Sequence, residues 1–385
     1  MPRPTAPRTR SRSTTASGSS KRSAKGSARR SRPANRRTAK RRPRRGRLLL
    51  LAVLVVAGVV VWPSVKPHLA ALPFLDSVLA ATSPFGPTWP LTGVPAGTVP
   101  DRPALAVKIE NSAAARPQTG LNAADMVWEQ VVEGGITRFV AVYHSTLPPE
   151  IGPVRSIRPM DAAIAAPLGG LLAFSGGVPP YIAAAENAGL QVLRQDSGAD
   201  GFFRTTARSA PHNVHATPQT LLDQADADHR TPPETQFDHA AEGEQPTAVA
   251  AGRPTATLDL RMSGISAPRW AWSAADGRWL RAEGSTPAVQ ADGARIGAAN
   301  VVVLRVDVVQ TEARDPAGNP VPETVLTGSG PALVASGGHA AEAIWSKAGV
   351  SDRVELTDAD GDPVALAPGT TWVELVPHSG AVATG

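Results

Sequence analysis

The sequence predicts an α+β protein, in which a mixed α and β domain is followed by a smaller, mainly β domain. Three observations carry that reading. The excess of positive charge lies in one N-terminal run that leads into an unbroken apolar segment, so folding begins late in the 385-residue chain. From 101 to 236 strand-like and helix-like patterns intermingle. From 254 to 378 short strand-like runs alternate with turn signals.

Between Met1 and Arg47 stand 18 Lys and Arg and no acidic residue, interleaved with Ser, Thr, Ala, Pro and Gly. Such a composition cannot bury a core, and disorder is expected there. Taking those 18 from the 39 basic residues leaves 21 against 33 acidic ones, so a basic tail precedes a body with a net charge of −12. The apolar run from Leu48 to Trp62 follows at once. As a helix it rises roughly 22 Å against a hydrocarbon core of ~30 Å, with Arg47 placed to snorkel and Trp62 suited to the interface. We assign residues 48–65 to a single-pass membrane anchor. A cleaved signal peptide is the rival reading, against which stand the long leader and the lack of a prompt A-x-A site. The positive-inside rule puts the tail in the cytoplasm, near anionic lipid, and the body outside it. The tail has no aromatic residue to stack on bases, which argues against nucleic acid as its partner. The absence of cysteine excludes disulfides, metal thiolates and a lipid-modified cysteine.

Residues 66–100, rich in Pro, Ala and Thr, read as a stalk. ALAVKI is a buried strand, and MVWEQVVE and ITRFVAVYHS read as two strands joined by a Gly134-Gly135 turn. LLAFSGG followed by PPYIAAAENAG predicts strand, glycine turn and helix, with Gly189 at the stop. PQTLLDQADA predicts a helix capped by Thr217. The polar, Ala/Gly-rich segment 237–253 reads as a linker. Beyond it strands dominate, HAAEAIWSKAG alone has a helical pattern, and 379–385 is a tail.

Charges gather between Glu129 and Asp161. In a two-residue turn Glu133 faces Ile136 and Glu129 faces Val140, so Glu129, Glu133 and Arg138 share one face. Two carboxylates so placed could serve as general acid and base, or could form a structural ion-pair cluster. Prolines 153 and 159 bracket Arg155 and Arg158 and restrict the backbone, which suits them as forks for carboxylate or phosphate. Pairing with Glu129, Glu133 or Asp161 is the structural alternative. His212 and His215 lack the third ligand and the open position that a zinc site needs, and no metal or cofactor is expected. Ser175 lacks the glycine a nucleophile elbow needs two places earlier, and DADGD at 358–362 fits a hairpin turn better than a calcium loop. Trp270, Trp272 and Trp279 form a stripe on one hairpin face, suited to a core or domain interface and, alternatively, to stacking on sugars.

PLTG at Pro90, ARPQTGLNAADMVWEQVVEGGITRF, GPVRSIRP and APHN resemble the YerB-like family of bacterial envelope lipoproteins, a domain of unknown function. NVVV, the Gly-Ser-Gly segment, IWSK and PGTTWVELVP look like that family's C-terminal domain. The resemblance implies a layered α/β sandwich followed by a β-rich domain, exported and membrane-attached, with no known activity. Arg116, Pro117, Glu129, Glu133, Gly134, Gly135, Thr137, Arg138, Arg155, Arg158, His212 and Asn213 fall on the family's motif positions. His215 stands where Tyr is common, and a membrane helix replaces the lipid anchor.

The expected ligand site therefore comprises Arg116, Glu133, Thr137, Arg138, Arg155, Arg158, Asp161, His212 and Asn213. It would bind an anionic envelope component or a partner protein. The alternative is a cell-envelope hydrolase or transferase that uses Glu129 or Glu133 with His212 as acid and base.

Overall fold

The computed structural model describes residues 86–315 and 318–385. The basic tail, the apolar run Leu48–Trp62 and the first part of the stalk lie outside the described residues. Among those described, no helix is long and apolar enough to cross a membrane.

The first half of the body supplies β1 (Leu105–Glu110), β2 (Met126–Val131), β3 (Thr137–Tyr143), β4 (Leu171–Phe174), β5 (Gln191–Arg194), β6 (Phe202–Arg204) and β7 (Val214–Ala216). Its helices are α1 (Asp161–Ala165), α2 (Pro179–Asn187) and α3 (Pro218–Leu222). The second half has one short helix, α4 (Thr247–Ala251), and strands β8 (Arg253–Pro254), β9 (Thr257–Arg261), β10 (Pro268–Ser273), β11 (Arg278–Glu283), β12 (Thr286–Pro287) and β13 (Gly297–Ala298). It continues with β14 (Asn300–Val306), β15 (Val308–Arg314), β16 (Pro320–Thr324), β17 (Gly328–Ser336), β18 (His339–Lys347), β19 (Glu355–Thr357), β20 (Thr371–Pro377) and β21 (Ala381–Thr384). Strands far outweigh helices, so the first half is less helical than its sequence pattern predicts.

One eleven-stranded mixed sheet runs β19-β18-β17-β14-β20-β2-β3-β1-β4-β5, with β8 paired to β18. Both halves of the chain build it, because β20 lies between β14 and β2 and pairs in parallel with each. β1, β2, β3 and β20 are buried at every position, which is why LAVKIE and TWVELVP lack the alternation of a half-exposed strand. Their two faces support separate cores. On one, Ala106, Trp128, Val140 and Val373 meet Ile164 and Ile182 from α1 and α2. On the other, Val107, Val127, Phe139 and Trp372 meet a six-stranded sheet, β12-β11-β10-β9-β21 with β13 paired to β11, through Trp270 and Trp279. The tryptophan stripe is thus core: Trp270 and Trp279 are buried, and Trp270 stands edge-on to Trp372 at 5.2 Å.

Four expectations need correction. HAAEAIWSK is a strand, β18, because antiparallel partners on both sides outweigh the helix propensity of Ala and Glu. The segment 237–253 is no exposed tether, since Phe237 stacks on Trp128 at 6.2 Å and α4 buries Ala248. The tail at 379–385 contains β21, paired antiparallel with β9. The end of the stalk joins the core through Leu91, which is buried.

Candidate functional site

The β2–β3 hairpin sets the geometry, and its register is one residue away from the expected one. Val131 pairs with Thr137, Gln130 with Arg138 and Glu129 with Phe139. The Val132 N–H donates to the Ile136 carbonyl at 2.8 Å, which leaves Glu133, Gly134 and Gly135 as a three-residue loop. Gly134 and Gly135 both have positive φ, +69° and +77°, a conformation that a side chain at either position would strain. Side chains alternate along a strand, so a one-residue shift sends a residue to the opposite face. Glu129 and Arg138 therefore do not share a face, contrary to expectation. Arg138 lies with Gln130 on the helix-covered face, and Glu129 faces the small sheet.

On the helix-covered face Lys108, Glu110, Gln130 and Arg138 occupy the strand ends. The segment after Pro153 runs beside β1: the Glu110 N–H donates to the Pro153 carbonyl at 2.9 Å, and the Arg155 N–H to the Lys108 carbonyl at 2.8 Å. That path carries Arg155 and Arg158 to the carboxylates. Arg155 Nε lies 3.4 Å from Glu110 Oε2, and Arg158 Nε lies 2.5 Å from Glu133 Oε1. Arg138 reaches Glu133 Oε2 at 3.9 Å and donates to the Ser156 carbonyl at 2.9 Å. Asp161 is fully buried beneath them. It pairs with Lys108 at 2.6 Å and accepts from Gln130 Nε2 and from the Arg158 N–H, so it organises the turn into α1 and is withdrawn from any ligand. Burial, set against the pull of Asp161, pushes the Lys108 ammonium down to about 8. Burial and the adjacent Arg158 push Arg138 down to about 9. His212 Nδ1 lies 2.9 Å from Glu110 Oε1, which also accepts from Ser112 Oγ at 2.8 Å.

The remaining expected residues lie elsewhere. Arg116 donates to Asn111 Oδ1 at 2.9 Å and pairs with Glu283 at 3.1 Å, and Thr137 Oγ1 accepts from Asn111 Nδ2 at 2.8 Å. Asn213 accepts from Arg204 at 2.8 Å and donates to the Thr205 carbonyl. Glu129 belongs to a second cluster. Arg281, fully buried, binds Glu129 at 2.7 Å, Glu374 at 2.8 Å and Glu283 at 3.0 Å. The rings of Trp372, Phe139 and Trp270 surround its guanidinium with centroids 5.1 to 5.5 Å away. Burial opposes the Arg281 charge, but Glu129, Glu283 and Glu374 outweigh it and raise its pKa. Burial, then the neighbouring Glu129, raises the Glu374 carboxyl well above its ordinary value. A hollow of about 350 Å³ lined by Asn111, Arg116, Gln118, Phe139, Arg281 and Glu283 opens over this second cluster.

Glu129, Glu133 and His212 thus engage three different partner sets. Sequence reasoning missed Lys108, Glu110, Arg281, Glu283 and Glu374. The available signal was charge inside an otherwise apolar strand, as in LAVKIE and TWVELVP, because such a charge is buried only with a partner.

A family model described as the N-terminal domain of a protein of unknown function, DUF3048, matches residues 91–231, and its C-terminal counterpart matches 258–373. The YerB protein of Bacillus subtilis, provisionally named a lipoprotein, is 33% identical over 130 residues, a match that spans 33% of this chain and 39% of the relative. The crystal structure of Bacillus subtilis YerB superposes with a TM-score of 0.65 at 21% identity, over 77% of this chain and 99% of that one. That superposition extends the likeness to the fold of both halves, and the family resemblance read from the motifs is borne out.

Proposed function

We propose, from the premise that the chain belongs to the DUF3048 family, that it is a membrane-held envelope protein whose arginine-faced sheet end is a non-catalytic binding site for an anionic envelope component. The anchor in this reading is the apolar run Leu48–Trp62, with the body outside the cytoplasm. The lipoprotein name of the related YerB and the N-terminal charge bias support the location. A reporter active only in the cytoplasm, fused after Gly385, stays silent if this orientation holds, and a signal from it reverses the topology.

One observation carries the binding site: the carboxylates lie inside and the guanidinium groups outside. Glu110 is 2% exposed against 23% for Arg155, and Glu133 is 6% exposed against 12% for Arg158. Buried carboxylates aim these arginines outward without covering them, and the terminal amines of Arg155 have no partner among the described residues. An anion reaching them gains charge-assisted bonds worth about 1.5–3 kcal/mol each.

Equilibrium binding of inorganic phosphate to the full chain tests the site. Arg155→Ala is expected to weaken binding at least about tenfold, one such bond being worth that much. Unchanged binding in the variant, or no binding by the parent, refutes the reading.

A further inference from the structure

We propose that the group bound is a doubly charged tetrahedral oxyanion, a phosphate monoester, and that His212 supplies the proton that admits its second charge. This rests on the anion-site reading above and adds the ligand class to it.

The hydrogen bonds fix the tautomer. A carboxylate oxygen only accepts, so Glu110 Oε1, already receiving the Ser112 hydroxyl, takes the hydrogen on His212 Nδ1. That leaves Nε2 on the outer side of the ring, without a partner among the described residues. Arg155 lies against the other oxygen of the same carboxylate, with its own terminal amines free. Two heads, 28% and 23% exposed, therefore rest on one carboxylate that is 2% exposed.

Charge then selects the ligand. With His212 neutral, the cation of Arg155 is balanced by Glu110. A planar carboxylate can satisfy the Arg155 fork with its two oxygens, and it has no third oxygen to offer His212. A tetrahedral dianion fills the fork with two oxygens and presents a third to Nε2, which can donate only after the imidazole takes up a proton. The charged groups facing His212 are Glu110 from β1 and, across that carboxylate, Arg155. Arg138 and Arg158 follow around Glu133, and Arg208 on the histidine's own loop donates to the Pro117 carbonyl. Apart from Glu110 and Glu133 these groups are cationic, which favours an incoming dianion and makes its binding the event that charges the ring.

Sulfate is a suitable probe because it stays dianionic through neutral pH. Calorimetry on the full chain in phosphatidylcholine bilayers, in buffers of different ionisation enthalpy, reads both affinity and proton uptake. The expected result is a sulfate affinity about tenfold lower at pH 7.5 than at pH 5.5, with uptake of a proton on binding at the upper end. Acetate should bind more weakly and without pH dependence. His212→Asn keeps a donor to Glu110 in the place of Nδ1 and lacks Nε2, so it should bind sulfate weakly at every pH. A pH-dependent His212→Asn, a pH-independent parent, or acetate binding as tight as sulfate overturns the phosphate assignment while leaving an Arg155-dependent anion site in place. No binding of any anion by the parent brings down the site itself. Adding phosphatidic acid to the bilayer separates the two sources of the monoester: sulfate affinity falls if the site reaches a lipid headgroup, and is unchanged if the ligand is soluble, in which case glycerol 3-phosphate displaces sulfate.

Discussion

On one side of the β2–β3 hairpin a single cation, Arg281, is enclosed by Glu129, Glu283, Glu374 and three aromatic rings. On the other, Arg155 and Arg158 lie outward of Glu110 and Glu133, with Arg138 buried as deeply as Glu133. The residue types are the same and the order of burial is reversed. The enclosed cation spends its terminal amines on the fold's own carboxylates, whereas a buried carboxylate with an outer arginine fixes the fork and leaves its far edge to solvent. Charge content alone therefore does not mark a site. What marks it is which sign lies outermost, and whether removal of the outer residue strands an unpaired charge in the core.

Four changes separate the clusters, in descending order of effect. Arg281→Ala leaves the buried Glu129 and Glu374 without a cation, Glu283 keeping Arg116, and is expected to cost about 3–5 kcal/mol, read by denaturant titration. A loss below about 1 kcal/mol would place this cluster with the surface ion pairs. The floor of the open cluster should announce itself through pH. Lys108 loses its proton near 8 in the fold and near 10.5 when unfolded, so between those values the unfolded chain binds more protons and stability rises with pH. At ~1.4 kcal/mol per pH unit the contribution of Lys108 approaches about 3 kcal/mol, and Lys108→Met should reduce the rise by about that much, Arg138 acting in the same sense above about 9. A parent whose stability is flat or falls from pH 8 to 10.5 contradicts a closed floor. The outer arginines come last. Arg158→Ala deprives Glu133 of its nearer partner and should cost about 1–3 kcal/mol. Arg155→Ala leaves Glu110 with Ser112 and His212, and should cost under about 1 kcal/mol in the same titration. If Arg155 costs as much as Arg281, the distinction between the clusters collapses.

The hairpin, its glycine loop, the Arg155–Arg158 segment, α2 with Gly189 at its end and the tryptophan stripe were legible because each is a local pattern of turn chemistry or periodicity. The register was not. Gly134-Gly135 suits a two-residue turn, but Glu133 joins the loop, and that single residue moved Glu129 into the other cluster. The partners of the outer arginines were hidden for another reason. Glu110 meets His212 across 102 positions, and Glu374 meets Arg281 across 93, separations at which no local spacing rule operates. The insertion of β20 between β14 and β2 is equally non-local, and it alone brings Glu374 beside Glu129. Charges within apolar strands were the trace these contacts left in the sequence.

The central claim is that the fold encloses one arginine cluster and presents the other. Nuclear magnetic resonance of isotope-labelled arginine side chains in the full chain, followed during a sulfate titration at pH 6, reads both at once. The guanidinium signals of Arg155 should move in a saturable way, with a smaller displacement at Arg158, while those of Arg281 stay where they are. An Arg155 signal indifferent to sulfate, or an Arg281 signal that moves as far, would contradict it.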